Sequence, residues 1–319
     1  HRDLHSFPTR RSSDLRETAS LNRHQGAAGP LTTGKQEIAA LIEQLSKNDP
    51  ALKISAAQRL NLFRDQAAAP ALAERLRDRS REVRIAAATA LASCGTRDSV
   101  EELLGALTDT DPLVAQAAAT AVETITGQDL RFNGFAEVSA RQGQAKTWYA
   151  WFQTNQWDRL EQLLIKDLSN ADRVIQRRAI LALGHIGGAA ARTALREFVS
   201  RVHEKNPYPA FENDNRTDSF TYAADSKLNP RTAQAAARAL GNLRDAEAVP
   251  LLGRLLAGNI EPKTGNLYLA EALIEALGGI GTPEAEAVLI QTSGRLKEYW
   301  QYVGWYSDHP ALYACHNNP

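Results

Sequence analysis

Two cysteines, Cys94 and Cys315, and seven histidines are the soft donors this chain offers for metal or nucleophilic chemistry. His309, Cys315 and His316 fall close together, and nitrogen and sulfur ligands are what zinc prefers. Their spacing matches no tetrahedral motif, and no second cysteine stands beside them. Leu312 occupies the place where c-type haem attachment would need a cysteine ahead of Cys315-His316. The acidic run Glu212–Asp218 lacks the turn glycine and distal glutamate of a calcium loop. Gly184–Gly188 and Gly278–Gly281 follow helical patterns rather than strands, so they read as helix caps between repeats and not as phosphate loops. No Ser/His/Asp or Cys/His set stands at a recognisable motif. The expectation is a chain with no catalytic residue, no metal and no cofactor.

What remains is recognition chemistry. All five tryptophans lie in two stretches. The first holds Trp148, Tyr149, Trp151 and Phe152, with Trp157 just after; the second holds Trp300, Trp305 and Tyr306. Tryptophan and tyrosine join a large apolar face to one polar edge, which makes them good anchors of protein interfaces. They can equally pin a segment onto its neighbours. We expect partner contacts at Trp148, Tyr149, Trp151, Trp157, Trp300, Trp305 and Tyr306. Arg173, Arg177, Arg178 and Arg238 are expected to form a basic patch on the concave side. The 37 basic and 37 acidic residues cancel, so the global basic excess of a phosphate-tracking surface is absent, and the expected partner is another protein rather than nucleic acid. No apolar run reaches the roughly 18 residues a membrane span requires.

The elements that must position these residues are helices. Asp111–Ile125 starts with an Asp-Pro step and places apolar residues at Val114, Ala118, Ala121, Val122 and Ile125, one buried helical face. The same register begins at Asp49, Ser80, Asp172, Asn229 and Asn266. Between these lie partner helices such as Pro70–Arg77 and Val100–Leu107. Helices of about ten to fifteen residues are marginal alone, so each pair must be covered by the next. The spacing is 31 residues from Asp49 to Ser80 and from Ser80 to Asp111, but 61 from Asp111 to Asp172 and 57 from Asp172 to Asn229. Two insertions, at about 127–156 and 203–228, account for the excess. Such insertions map to one face of a repeat stack and often carry specificity.

Two-helix units with Glu82-Val83-Arg84 early in the second helix, and Ala182–Gly187 or Ala276–Gly281 at its end, resemble HEAT repeats of the short phycobilisome-lyase-like kind. The resemblance covers about 35–296. It implies an all-α solenoid, a right-handed superhelix of antiparallel helix pairs, that works as a non-catalytic protein-interaction scaffold. Its alternatives are a cofactor-binding or lyase-like enzyme, or a docking module of a longer enzyme. Within the resemblance, a di-iron hydroxylase would need several His-Glu pairs, and this chain shows one, His203-Glu204. The family often links repeats by an Asp–Arg ladder. Asp49 with Lys53, Ser80 with Arg84 and Asp111 with Ala115 make a poor one, so little electrostatic linkage between repeats is expected.

The chain carries no methionine, and residues 5–15 resemble the translation of a sequencing adapter. We therefore read 1–15 as adapter-derived, 16–34 as a disordered lead-in, 35–298 as the solenoid, and 299–319 as an aromatic segment of a frame clipped at both ends.

Overall fold

The computed structural model of the protein describes residues 34–129, 131–205, 230–260 and 267–308, with backbone alone at 34, 202–205, 230–231, 267–268 and 296–308. The expectations for 1–33, for most of the second insertion including the acidic run, and for His309, Cys315 and His316 lie outside the described residues.

Fourteen α-helices and no strand occupy the described residues. Three pairs come first: α1 (Gly34–Leu45) with α2 (Pro50–Phe63), α3 (Ala69–Arg75) with α4 (Arg81–Cys94), and α5 (Val100–Ala106) with α6 (Pro112–Thr126). An extra helix, α7 (Val138–Thr154), fills the first insertion. Three more pairs follow: α8 (Trp157–Asp167) with α9 (Arg173–Ile186), α10 (Ala189–Lys205) with α11 (Pro230–Asn242), and α12 (Val249–Asn259) with α13 (Leu267–Ile280). The last helix, α14 (Pro283–Asp308), is 26 residues long. It runs through the 298/299 boundary drawn from sequence, so Trp300, Trp305 and Tyr306 belong to a helix.

The six recurrent segments become the inner layer: α2, α4, α6, α9, α11 and α13 pack in that order. Their starts share one chemistry. Asp49, Ser80, Asp111 and Asp172 each stand in extended backbone and accept a hydrogen bond from a first-turn amide, satisfying donors the helix cannot. Their buried faces are rich in alanine: Ala87, Ala88 and Ala90 in α4, and Ala115, Ala118, Ala119 and Ala121 in α6. Small side chains let the axes approach, and leucines such as Leu60, Leu91 and Leu183 fill the space between layers.

The inter-repeat ladder is present, contrary to expectation. Lys53 Nζ pairs with Asp78 at 2.6 Å, and Arg84 Nε pairs with Asp109 at 2.8 Å, with both ion pairs mostly shielded from solvent. The acid is not the cap residue but the aspartate two positions before it, in the next repeat. That carboxylate also accepts from the cap residue's own amide, Ser80 N or Asp111 N. Burial pushes the Asp78 carboxyl up, but the hydrogen bonds from Lys53 and Ser80 and the attraction of Lys53 and Arg75 outweigh it and hold it below the usual range. The run stops where Ala115 replaces the cation.

Two glycine assignments also change. Gly184 and Gly278 lie inside helices, not at caps. A Cβ on Gly184 would come within 2.9 Å of Ala239 Cβ, and one on Gly241 within 2.7 Å of Ala276 Cα. Among the described residues the positive φ falls instead on Gly127 and Gly281, and on Arg64, Arg131 and Arg244.

Candidate functional site

The site is built where the chain folds back on itself. After α2, Arg64 adopts a left-handed backbone with φ 56° and closes the helix by donating its amide to Leu60 O. This turn aims Asp65 and Gln66 across the molecule. Gln66 Nε2 donates to Gly184 O, near the end of α9, at 2.9 Å. Arg244, which follows α11 in the same left-handed conformation with φ 49°, donates from Nη2 to both oxygens of Asp65 at 2.9 and 3.0 Å. Lys35 Nζ reaches Gly281 O, after α13, at 3.4 Å. Nearer the middle of the stack, His185 Nδ1 lies 2.8 Å from Gly95 O, and Arg97 donates to Ile186 O. The C-terminal ends of α2 and α4 therefore face those of α9, α11 and α13.

Where the first pair meets the last two, the contact leaves a groove of about 660 Å³. Ile38, Leu62 and Phe63 line one wall, Leu277 and Leu289 the other, and Gly241, Gly278 and Gly279 also line it. Leu62 is 78% and Phe63 39% exposed. Charges mark the rim: Arg238 paired with Glu275, Asp65 with Arg244, and Lys35 and Glu286 besides. A cleft with apolar patches on both walls and a broad charged and polar rim suits an amphipathic segment, such as a short helix, from a partner.

The residues singled out from sequence are scattered relative to this groove. Arg238 lines it, whereas Arg173, Arg177 and Arg178 do not. Arg173 and Arg177 are exposed on α9, and Arg178 is half-buried. Burial first, then Asp129, raises the Glu123 carboxyl, and Arg178 opposes them.

Among the aromatics, Trp148 has no exposed surface. It meets Trp151 edge-on at 5.9 Å and packs with Arg141 and Ala145 on the buried face of α7. Its role is to hold α7 down; with nothing exposed, it offers a partner no contact. Tyr149, Trp151 and Trp157 are half-buried. Phe152 packs edge-on against Trp157, and the Arg97 guanidinium lies 5.9 Å from the Trp157 ring centre. Tyr149 has its phenol pushed up by burial and by Glu101. Cys94 is sealed in the core with Sγ 3.2 Å from Leu60 O, and burial pushes its thiol up to about 12. Among the described residues no group of three or more His, Cys, Asp or Glu side chains is placed to hold a metal.

The groove residues Leu62, Phe63, Asp65 and Arg244 were missed in the sequence, yet a signal was there. An Arg-Asp dipeptide recurs after three inner helices, as Arg64-Asp65, Arg97-Asp98 and Arg244-Asp245. In each dipeptide at least one member bridges distant parts of the stack.

Comparison with known proteins agrees with this architecture. Residues 38–128 match the model for HEAT repeats, and 175–201 and 233–258 match the PBS lyase HEAT-like repeat. The chain is a HEAT-repeat protein. Among solved structures it is similar to human deoxyhypusine hydroxylase in complex with glycerol, at 20% identity over 92% of this chain and 90% of that one, with a TM-score of 0.30. It is similar also to the complex of CpcE and CpcF of phycocyanin lyase from Nostoc sp., at 22% identity over 86% of this chain and 97% of that one, TM-score 0.28. An engineered protein matches at 21% identity over 76% and 96%, TM-score 0.26. No curated protein matches the chain. HEAT repeats are generally protein-interaction modules, and among the described residues no helix is long and apolar enough to cross a membrane.

Proposed function

We propose that this HEAT-repeat protein is a non-catalytic scaffold that binds another protein through the groove between its first and last repeats. The observation that carries this reading is the pair Leu62 and Phe63, large apolar side chains left exposed on one wall of a cleft that also holds Ile38, Leu277, Leu289 and four glycines inside a rim of charged and polar side chains. Exposed apolar surface costs free energy unless something covers it, about 25 cal/mol for each Å² later buried. The repeats supply the rigid frame, and the charged rim sets the orientation of what enters.

The test is affinity capture with the full chain beside a Leu62→Glu/Phe63→Glu variant, both checked for native helicity by circular dichroism. Proteins retained by the parent and lost by the folded variant support the groove. An unchanged retained set would refute it. Tyr149→Ala, on the half-buried insertion face, serves as the comparison: retention should persist.

A further inference from the structure

The two halves of the stack touch in a graded way. Helices of the two halves pack lengthwise where α6 meets α9. There Gly127 has no spare space: an added Cβ would lie 2.9 Å from Leu164 and 3.0 Å from Ala182. Farther out, among the described residues, the halves meet by polar contacts at helix ends, and these contacts thin in order. His185 with Gly95 O is buried; Gln66 with Gly184 O is part-buried. Asp65 with Arg244 is 18% and 51% exposed, and Lys35 with Gly281 O is exposed. Within each half, by contrast, neighbouring inner helices share continuous apolar packing.

We propose that the molecule is a two-jaw clamp, hinged at α6–α9 and latched near its tip by Asp65–Arg244, so that salt opens it. Stiff halves on a packed hinge, joined at the far end by a few polar bonds, yield first at those bonds. The tip pair is exposed enough for ions to screen it, since the Debye length falls from about 10 Å at 0.1 M to about 3 Å at 1 M salt. Opening separates the groove walls, Leu62 and Phe63 from Leu277 and Leu289. It is a property of the free chain and holds whether or not a partner uses the groove, so failure of the capture experiment leaves it standing.

Small-angle X-ray scattering on the full chain tests it. From 0.05 to 1 M NaCl the radius of gyration of the parent should rise by about 10% from a compact starting value. Arg244→Ala at 0.05 M should already match the high-salt parent and respond little to further salt. The swapped variant Asp65→Arg/Arg244→Asp should restore the compact, salt-sensitive form. Should either substituted chain fail to fold, the salt series on the parent decides alone. A parent whose dimensions stay constant across the series overturns the latch, as does an Arg244→Ala chain that folds and remains as compact as the parent at low salt.

Discussion

His185 shows how one side chain ties acidity to the joint between the halves. Burial first lowers its pKa from the ordinary 6.5, and the Gly95 carbonyl only partly opposes this, with Arg64 adding to the lowering. The imidazole is therefore neutral when folded but takes up a proton when unfolded. Below pH 6.5 the unfolded chain binds the extra proton, so stability falls as pH drops through the window beneath 6.5, with a slope of at most about 1.4 kcal/mol per pH unit from this group. Above that window the contribution is constant. Urea titrations at pH 5 and pH 7 should show the loss, and His185→Gln should flatten it. An equal pH dependence in parent and variant would contradict the assignment. Cys94 makes a second prediction at this scale. With its thiol pushed up to about 12, it should resist iodoacetamide at neutral pH in the native chain and react once unfolded. Trp148→Ala should cost about 3–5 kcal/mol in chemical denaturation because the cavity opens under α7; a loss below 1 kcal/mol would mean that α7 does not depend on it.

Element by element, the sequence carried the inner layer well and the linkage badly. The apolar spacing and the cap residues at Asp49, Ser80, Asp111 and Asp172 are local signals, and the helices start where those residues stand. The ladder was misread because its acids, Asp78 and Asp109, sit in turns and act on the preceding repeat. A register search looks within one unit and overlooks a bond between units. Gly184 was misread for a related reason: it answers to a helix more than thirty positions away, as Gly241 does, and no local rule reports that. Arg84→Ala should cost about 2–3 kcal/mol in urea denaturation, since it strands Asp109 at a mostly shielded site. Gly241→Ala should destabilise by about 1–3 kcal/mol, because the new methyl meets the Ala276 backbone. A neutral result for Gly241→Ala would show that α11 and α13 can separate freely.

For the whole molecule, the all-α repeat architecture was legible and the groove was not. Periodicity predicts that each pair is covered by the next, but not that the first pair meets the last. That meeting depends on how tightly the alanine- and glycine-rich inner helices crowd, summed over six repeats. The aromatic residues drew attention as interface anchors, and Trp148 turned out to secure the inserted helix. The Leu62-Phe63 pair, unremarkable in sequence, became the exposed wall of a cleft because Arg64 turns the chain there.

The groove exists only if the first repeat folds back onto the last, so that contact is the one to measure first. Cysteines placed at Leu62 and Glu286, both lining the groove, in a Cys315→Ser background, can be treated at low salt with a short bis-maleimide. The account predicts an intramolecular cross-link between the peptides carrying residues 62 and 286 in the native monomer, lost in urea, with Cys94 unmodified until unfolding. Native protein that yields only single-site adducts at 62 and 286 would place the first repeat away from the last and would contradict the closed stack, the groove and the scaffold surface built on it.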